Sequence, residues 1–563
     1  MAPLGPAPML AARRLGLPIA CRGRRLLSTK RPQTVHEYLG WKPETAASDV
    51  TVNGYVRSVR AMKSEIFVNV GDGSTRQPLQ AMVPRDMEGG SGLRVGAAVS
   101  LKGSWTPSNH PDQSHELKVD KVNVVGPSDA STYPIQKKYQ TPEYLRTIPH
   151  LRSRIPLNAA VLRLRSDAIA ALTQFFASRS FVQTHPPIIT SSDCEGAGEV
   201  FTVSTGQPET SPASAPQPSA GTAASTSSSA PAKPRDHFFR APKYLTVSTQ
   251  LHLEALAQSL GNVWTLSPTF RAERSDTSRH MSEFYMLEAE MPFVDDMEDV
   301  LSLVEDMLRH LTTTLYTATS ATELRARRRP AASSQSSPSS SSPRTAEDDL
   351  APADEVERRW AGMMQQPDVP WPRVTYADAI EILKADAHLF EHPPVWEDGL
   401  HAEHEKYLAR KLGATGHDGV YRPVFVTHYP RDIKAFYMRP SALAPATDGS
   451  PQPRPTVDCF DLIVPDLCEI AGGSMREHRL EELLDTMQRR GMVAPPVPGQ
   501  RKRAGANGGD PAGLDWYLDL RRWGSCPHGG FGLGFDRLLS YLAGVQNVRD
   551  VVAFPRWFGR CDA

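Results

Sequence analysis

Near its middle the chain reads Phe270-Arg271-Ala272-Glu273-Arg274-Ser275-Asp276-Thr277-Ser278-Arg279-His280-Met281-Ser282-Glu283-Phe284. An apolar run from Val263 to Leu266 precedes this stretch, and residues 284–289 after it alternate between two sets of side chains. Two runs with strand character on either side of a turn-rich middle predict a pair of antiparallel strands joined by a long loop. We therefore expect a β-hairpin here, with a strongly charged loop.

Basic side chains lie at both ends of the predicted loop. Arg271, Arg274, Arg279 and His280 are close in sequence, and like charges repel unless an anion lies between them. A polyphosphate would be such an anion. A charged hairpin that only faces solvent is the alternative, and other parts of the chain have to decide between the two.

The same stretch resembles motif 2 of the class II aminoacyl-tRNA synthetases, in which Phe-Arg-x-Glu is joined by a variable loop to Arg-His-x-x-Glu-Phe. The resemblance implies that ATP is a substrate. Arg271 would then bridge the amino-acid carboxylate and the α-phosphate, and Glu273 would contact adenine or the tRNA end. Phe284 would stack on adenine, while Arg279 and His280 would hold the β- and γ-phosphates.

A glycine-rich run lies near the C-terminus and reads Pro527-His528-Gly529-Gly530-Phe531-Gly532-Leu533-Gly534-Phe535-Asp536-Arg537. It predicts a strand leading into an amphipathic helix, where glycines let a flat adenine or a backbone approach closely. An arginine at a helix start can reach a terminal phosphate. The run resembles class II motif 3, which implies that Gly534 binds ATP and that Arg537 joins Arg271 and Glu273 as a catalytic residue.

Two acids lie on neighbouring strand-like segments between these motifs. Asp461 and Glu469 are our candidates for binding Mg²⁺, a hard ion that takes one or two carboxylates together with phosphate oxygens. Glu469 would therefore also belong to the ATP site. Carboxylates on a surface strand are the alternative for either residue.

The amino-acid pocket is predicted by resemblance to the asparaginyl branch of class IIb. The acidic, glycine-containing loop Ser191–Glu199, with Glu195, could close over an ammonium group, although a metal loop is its competitor. In the family, Ser248 and Gln250 line the pocket, and the related aspartyl enzymes place a lysine where Leu253 stands. Glu288 is our candidate acceptor for a substrate amide, and Arg476 is its partner for the amide oxygen.

Residues 50–127 contain about five short alternating runs with glycine-rich turns. This pattern predicts a small β-barrel, either an OB-fold, the usual small barrel for single-stranded nucleic acid, or an SH3-like barrel. The stretch resembles the anticodon-binding barrel of class IIb, which implies that Phe67 and Gln80 receive an anticodon base. Phe67 in the barrel core is the alternative.

The first 36 residues contain no acid but several arginines, which is typical of an organellar import segment. Mitochondrial import is favoured over plastid import because serine is sparse there, and a basic tail that touches nucleic acid is the alternative. The whole chain has 563 residues, 63 basic and 63 acidic, so any basic surface must be local. Its six cysteines form no Cys-x-x-Cys pair, and no run reaches membrane-spanning length.

The predicted fold class is α+β, with an N-terminal OB-fold barrel followed by a class II catalytic domain on an antiparallel sheet flanked by helices. The helix and strand before Pro187 resemble motif 1, which implies a homodimer, although a core helix would show the same pattern. The predicted segments are a mitochondrial transit segment at 1–35, the barrel at 36–130, a hinge at 131–157 and the catalytic domain at 158–563, with disordered insertions near 206–234, 327–353, 441–455 and 496–513.

The resemblance implies ATP-dependent ligation of L-asparagine to tRNA(Asn) through an asparaginyl-adenylate, and the N-terminal segment predicts that this takes place in the mitochondrial matrix. ATP and Mg²⁺ are the expected cofactors, and no membrane partner is expected. An aspartyl-tRNA synthetase and a non-catalytic tRNA- or RNA-binding paralogue are the two rivals. The first would carry a lysine at position 253, and the second would lack the motif cations or the metal carboxylates.

Overall fold

The computed structural model describes residues 32–108, 113–136, 138–191, 200–204, 238–239, 241–326, 349–364, 368–417, 419–441, 454–493 and 513–562. Glu195 lies outside the described residues, as does nearly all of the predicted transit segment. The four predicted insertions lie wholly or mostly outside them as well. The described chain forms two compact units, one up to Val70 together with Leu79–Pro127, and the other from Gly71–Pro78 together with Ser128–Ala563.

The first unit is a closed five-stranded barrel with strand order β1-β2-β3-β5-β4. Alternating small apolar residues such as Val68, Val70 and Ala81 fill its interior, because successive side chains of a strand point to opposite faces. The predicted barrel is thus confirmed. Its elements are α1 (Val35–Gly40), β1 (Ala47–Ala61), β2 (Glu65–Gly71), β3 (Leu79–Pro84), β4 (Ala98–Pro107) and β5 (His115–Gly126).

The second unit is built on an eight-stranded sheet with flanking helices. Its helices are α2 (Pro142–Thr147), α3 (Pro149–Arg152), α4 (Pro156–Ser178), α5 (Gln250–Leu260), α6 (Met297–Leu315), α7 (Thr319–Arg325), α8 (Ala353–Met364), α9 (Tyr376–Ala385), α10 (Ala402–Gly413), α11 (Leu480–Arg489), α12 (Asp515–Arg522) and α13 (Phe535–Ala543). Its strands are β6 (Val182–Gln183), β7 (Ile189–Thr190), β8 (Tyr244–Leu245), β9 (Val263–Phe270), β10 (Glu283–Pro292), β11 (Arg373–Thr375), β12 (Val424–Thr427), β13 (Cys459–Val464), β14 (Cys468–Met475) and β15 (His528–Gly534).

The strand order of the large sheet is β11-β12-β13-β14-β15-β10-β9-β6. All pairs from β12 to β9 are antiparallel, as predicted, whereas the two edge pairs, β11 with β12 and β6 with β9, are parallel. Short edge strands that follow or precede a helix can join in either direction, and the sequence pattern does not reveal which. The fold class is therefore confirmed, with a mixed sheet at its two edges.

The two faces of the large sheet differ, because one packs in the main core and the other carries acidic side chains. Leu287 and Ala289 of β10 and Phe531 of β15 point into the main core, which also contains residues of α4, α6 and α13. The alternate residues of β10, Glu288 and Glu290, therefore point away from that core. On β15 the residues opposite them are glycines, Gly532 and Gly530, so β15 places no side chain on this face of the sheet.

Two features of the second unit bear on the sequence predictions. The predicted hinge contains α2 and α3, and its Arg146 and Arg152 are buried against Asp550, with 2.9 Å from Arg146 Nε to Asp550 Oδ1. These two arginines are thus buried in ion pairs, whereas Arg154 is exposed. Among the described helices, none has the length and apolar character that crossing a membrane would require.

Candidate active site

The charged stretch around Arg271 forms the predicted hairpin. Strands β9 and β10 pair antiparallel from Glu283 opposite Phe270 to Glu290 opposite Val263, and residues 271–282 form the loop between them. This prediction is confirmed. The register places Arg271 and Phe284 at the mouth of the hairpin, where the guanidinium carbon of Arg271 lies 5.7 Å from the centre of the Phe284 ring.

One open cavity collects residues from three separate stretches of the second unit, at 271–286, 469–470 and 532–548. Strands β10, β14 and β15, the motif 2 loop and the start of α13 contribute its walls. All eight residues predicted to bind ATP line it, namely Arg271, Glu273, Arg279, His280, Phe284, Glu469, Gly534 and Arg537. These residues are far apart in the sequence, but they lie close together in the fold because β15 pairs with both β10 and β14.

The cavity brings three arginines, Arg271, Arg279 and Arg537, next to His280 and to acidic side chains. Glu273 lies 3.9 Å from Arg271 and 3.7 Å from His280. Burial lowers the pKa of His280, and the nearby Arg537, Arg279 and Arg271 lower it further against the opposing charge of Glu273. His280 is therefore neutral at pH 7, and the arginines supply the charge that a polyphosphate would need.

Two of these arginines also touch the strand that carries Glu469. Arg537 Nη1 donates to the backbone oxygen of Glu469 at 2.9 Å, and Arg279 Nη1 lies 2.9 Å from Cys468 Sγ. These contacts hold the guanidinium groups at the cavity wall next to the predicted metal carboxylate. Weak sulfur and carbonyl acceptors leave most of each guanidinium's donors for a ligand.

A β-bulge explains how Asp461 and Glu469 come together. Asp461 pairs with Gly472, but the register then shifts, so that Leu462 faces Ala471 while Ile463 faces Glu469. Ile470 is the extra residue and packs in the main core, which turns Glu469 to the same side as Asp461. Without the bulge, strict alternation would point Glu469 into the core.

Gly472 keeps a space open between the two carboxylates. A Cβ at this position would lie 3.1 Å from Glu469 Oε1 and 3.3 Å from Asp461 Oδ1. Two converging carboxylates beside a cavity lined by arginines are the hard oxygen donors that suit Mg²⁺ with a bound polyphosphate. The residues present therefore fit the predicted ion.

Two charged residues that contact these acids were missed by the sequence analysis. Lys434 Nζ lies 2.8 and 2.6 Å from the two carboxylate oxygens of Asp461. Glu405 Oε2 accepts from the backbone N–H of Glu469 at 3.2 Å, and burial with the charges of Glu469 and Asp461 raises the pKa of Glu405 to about 7. Residues 427–438, which include Lys434, resemble the asparaginyl branch, but the sequence did not indicate that Lys434 or Glu405 contacts these acids, because both contacts are long-range.

The predicted amino-acid pocket divides into two hydrogen-bonded groups. In the first, Ser248 Oγ donates to Glu288 Oε1 at 2.5 Å, and the backbone N–H of Thr249 lies 3.0 Å from the same oxygen. The Thr249 hydroxyl donates to the second oxygen of Glu288. Burial raises the pKa of Glu288, and these donors oppose the rise.

In the second group, Arg476 is surrounded by acceptors. Its Nη2 donates to Gln250 Oε1 at 2.6 Å, and Nε and Nη2 make a bidentate pair with Glu290 at 3.1 and 3.0 Å. Glu290 was not among the predicted residues. Its place two residues after Glu288 on one strand could have indicated it, because both then share a face.

The structure brings Ser248, Gln250, Glu288 and Arg476 together as predicted site residues, although their roles stay predictions. Leu253 is buried and packs with Ala257 and Val263 on the apolar side of α5. An apolar side chain thus occupies the position where the aspartyl enzymes have lysine.

A fully buried polar cluster supports this pocket from behind. Glu254 Oε1 accepts from Gln250 Nε2 at 3.1 Å, while its Oε2 accepts from Arg521 Nη2 at 2.6 Å and from Tyr517 at 2.7 Å and lies 3.1 Å from His528 Nε2. Although burial alone would raise it, the charge of Arg521 and the contact with His528 hold the pKa of Glu254 well below its usual range. Glu254 therefore fixes which way the amide of Gln250 points.

Among the described residues, Glu254, Glu290 and His528 also form a group whose ligand atoms lie within 4.8 Å of one another. A cation there would have to displace two guanidinium groups, since Arg476 pairs with Glu290 and Arg521 with Glu254. We therefore interpret this group as a structural network and not as a metal site.

Replacing Arg521 with methionine is expected to destabilise the protein by about 3–5 kcal/mol, because it leaves the buried Glu254 carboxylate without its cation. The measurement is the free energy of unfolding of the second unit, obtained from its urea unfolding transition. The control is Arg489→Ala, which breaks an exposed pair with Asp485 and should cost less than about 1 kcal/mol. Equal effects of the two variants would contradict the proposed support.

In the barrel unit, Phe67 and Gln80 lie on the same outer face. Phe67 pairs with Met82 and Asn69 pairs with Gln80, while the intervening Val68 is fully buried. Phe67 is half-buried and does not belong to the barrel core. The alternative that placed Phe67 in the core is therefore excluded, and the side chain is available for stacking.

Comparison with known proteins places this arrangement in a family. A family model described as "tRNA synthetases class II (D, K and N)" matches residues 142–558. The mitochondrial asparagine–tRNA ligase of Schizosaccharomyces pombe is 38% identical over 514 residues, covering 91% of this chain and 94% of that protein. The asparagine–tRNA ligase of Geobacter sulfurreducens is 40% identical over 526 residues, covering 93% of this chain and 97% of that protein.

Among solved structures, asparaginyl-tRNA synthetase from Pyrococcus horikoshii, complexed with asparaginyl-adenylate, superposes with a TM-score of 0.69 and 26% sequence identity. The match covers 92% of this chain and 97% of that one. This chain is thus similar in fold to a protein that was solved in complex with an adenylate. The chain belongs to the class II tRNA synthetase family of the D, K and N enzymes, and it is an aminoacyl-tRNA synthetase.

Proposed function

We propose that this protein ligates L-asparagine to tRNA(Asn), using ATP and passing through an asparaginyl-adenylate. The observation that carries the proposal is the convergence of Arg271, Glu469 and Arg537 on one cavity, although they come from three distant parts of the chain. The relatives named above support asparagine as the amino acid, because their names specify it.

In the first step the carboxylate of asparagine would attack the α-phosphate of ATP in line, releasing pyrophosphate. Arg271 would bridge the two reacting groups, and Arg279 and Arg537 would hold the β- and γ-phosphates with His280. Phe284 would stack on adenine, whereas Glu273 would contact adenine or the tRNA end. No enzyme nucleophile is needed, since holding reactants in line can account for ~7–11 kcal/mol of the barrier.

Asp461 and Glu469 would hold Mg²⁺ beside the triphosphate. The ion would supply neutralisation of the charge that develops on the phosphate oxygens. Glu405 lies behind Glu469 and adds a third acid to the neighbourhood, close enough for the carboxylates to raise its pKa. In the second step the terminal ribose hydroxyl of the tRNA would take the asparaginyl group.

The choice of asparagine over aspartate would depend on Glu288 and Arg476. Ser248 and Thr249 make four contacts with Glu288, two on each carboxylate oxygen, and the N–H of a substrate amide would have to share an oxygen with these donors. Arg476 would donate to the amide oxygen. Three carboxylates, Glu254, Glu288 and Glu290, outnumber the two buried arginines 476 and 521, and this excess disfavours a second carboxylate on the substrate.

The two rivals meet specific obstacles. An aspartyl enzyme would need a further cation, but Leu253 is apolar and buried. A non-catalytic paralogue would have no use for Arg271, Arg537, Asp461 and Glu469, all of which face the same region. Neither rival explains the complete set of charged groups.

The barrel would bind the anticodon of the tRNA through the outer face of β2 and β3. Phe67 would stack on an anticodon base, and Gln80 would hydrogen-bond to it. Base–aromatic stacking contributes about 1–3 kcal/mol per base.

Phe67→Ala is accordingly expected to raise the KM for tRNA(Asn) by roughly 5- to 150-fold. Asparagine-dependent pyrophosphate exchange should stay at the wild-type rate, because this partial reaction needs no tRNA. The control, Val125→Ala, truncates an exposed residue of β5 and should leave both measurements unchanged. An unaltered KM for tRNA in Phe67→Ala would remove Phe67 from the anticodon site.

We further propose that the protein is a homodimer of the mitochondrial matrix that contacts no membrane. Helix α4 and strand β6 would form the dimer interface, since Ile169 and Val182 leave apolar surface exposed there. The acid-free N-terminal stretch and the mitochondrial relative from Schizosaccharomyces pombe support the location. The proposed function as a whole is tested by charging: purified protein should attach radiolabelled asparagine to tRNA(Asn) transcripts, and attachment of aspartate instead would refute it.

A further inference from the structure

Lys434 forms an ion pair with Asp461, one of the two carboxylates proposed to bind Mg²⁺. Its ammonium contacts both oxygens of Asp461, at 2.6 and 2.8 Å, and both side chains are largely withdrawn from solvent. The oxygen at 2.8 Å, Oδ1, is also the one that faces the space above Gly472. The ammonium and a bound divalent ion would therefore compete for the same carboxylate.

The position of Lys434 is fixed by its surroundings and not by Asp461 alone. Its ammonium lies 4.0 Å from the centre of the Tyr429 ring, a favourable cation–π distance. Arg490 Nη2 donates to the backbone oxygens of Arg431 at 3.0 Å and Lys434 at 2.5 Å, which anchors the loop that carries the lysine. The ammonium of Lys434 is thus held next to the site by several contacts.

Both acidic and basic side chains surround this space. Asp461, Glu469 and Glu405 supply the acids, and Lys434 supplies a cation in direct contact with the first of them. A unit charge a few ångströms away changes the binding of a divalent ion by a large factor, even with the dielectric screening found near protein surfaces. Lys434 should therefore weaken metal binding until further oxygen ligands arrive.

We propose that Lys434 is a positioning residue that makes Mg²⁺ binding conditional on the nucleotide. Its ammonium holds Asp461 and offsets part of the negative charge, so that a divalent ion binds well only when triphosphate oxygens complete the ligand set. The ion then enters together with ATP, and the acids do not hold an ion that would obstruct the arginines. This inference rests on the metal site of the proposed function.

The test is a titration of the full-length protein with Mn²⁺, followed by electron paramagnetic resonance of the free ion. Without nucleotide, Lys434→Gln should bind Mn²⁺ about tenfold more tightly than the wild type, because the competing charge is gone. With saturating α,β-methylene-ATP the difference should shrink. Lys434→Met, which keeps an unbranched apolar stem against Tyr429, gives the same test if the glutamine variant does not fold.

Three further variants define the outcome. Lys434→Arg keeps the charge and should behave as the wild type. The matched control is Lys411→Gln, since Lys411 also pairs with an aspartate, Asp386 at 2.7 Å, and lies 5.1 Å from a tyrosine ring, but outside the site. Asp461→Asn should weaken Mn²⁺ binding with and without the analogue.

Two results would overturn the inference, and they can be told apart. If Lys434→Gln and the wild type bind Mn²⁺ equally without nucleotide while Asp461→Asn is weakened, the metal site stands and the role of Lys434 fails. If none of the proteins binds Mn²⁺ at this site even with the analogue, the metal site of the proposed function fails, and the inference fails with it.

Discussion

Replacing Arg271 with alanine is expected to lower asparagine-dependent ATP–pyrophosphate exchange by about 10³-fold. Arg271 lies at the mouth of the hairpin and lines the cavity proposed to bind ATP, where it would bridge the asparagine carboxylate and the α-phosphate. Charge builds on phosphorus only as the bond forms, so the loss should appear mainly in kcat. Steady-state exchange at varied ATP and asparagine concentrations separates kcat from KM.

The same loop offers a matched control for this prediction. Arg274 is exposed and does not belong to the cavity lining of its neighbours. Arg274→Ala removes the same charge from the same loop and should keep exchange within about threefold of the wild type. Equal losses in the two variants would mean that the loop acts only through its overall charge.

Glu288→Gln is expected to reduce the preference for asparagine over aspartate by about 10² or more. The substitution preserves the shape of the side chain but removes the charge that disfavours a substrate carboxylate. The measurement is kcat/KM for each amino acid in pyrophosphate exchange. Glu283→Gln, at the exposed start of the same strand, is the control and should leave the ratio unchanged.

Lowering the pH should likewise reduce the preference of the wild-type protein for asparagine over aspartate. Burial raises the pKa of Glu288 despite its three donors, so protonation begins at a higher pH than for a free carboxyl group. The preference for asparagine should then decline as the pH falls towards that pKa and be complete above it. A preference independent of pH and unchanged in Glu288→Gln would exclude Glu288 from amide recognition.

Much of the fold could be predicted because its signals are local. The barrel strands alternate with a period of two and are separated by glycine-rich turns, and the hairpin around Arg271 is flanked by two clear strand patterns. These periodicities fix which residues share a face. The outward position of Phe67 follows from the same alternation once the barrel is formed.

The parts that could not be predicted depend on pairing between distant segments. The bulge at Ile470 exists only relative to β13, yet it turns Glu469 from the core towards the site. Lys434 reaches Asp461 from a loop, and Glu405 reaches Glu469 from α10. Nothing in the local sequence of either residue indicates such a contact, because a single charged residue in a loop or helix usually faces solvent.

The buried support of the pocket escaped prediction for a different reason. Arg521 and Glu254 are each ordinary in sequence, since charged residues on amphipathic helices are normally exposed. They are fully buried here because each satisfies the other and because Tyr517 and His528 complete the hydrogen bonds. Gly530 is part of the same arrangement, since a Cβ there would lie 2.0 Å from Glu290 Oε2.

The central claim is that one cavity binds ATP beside a pocket that selects an amide. Amino-acid-dependent ATP–pyrophosphate exchange on the purified full chain tests it most directly, with asparagine and aspartate compared at equal concentrations. The account predicts rapid exchange with asparagine and at least about 10³-fold less with aspartate. Exchange with aspartate at the higher rate, or with neither amino acid, would contradict it.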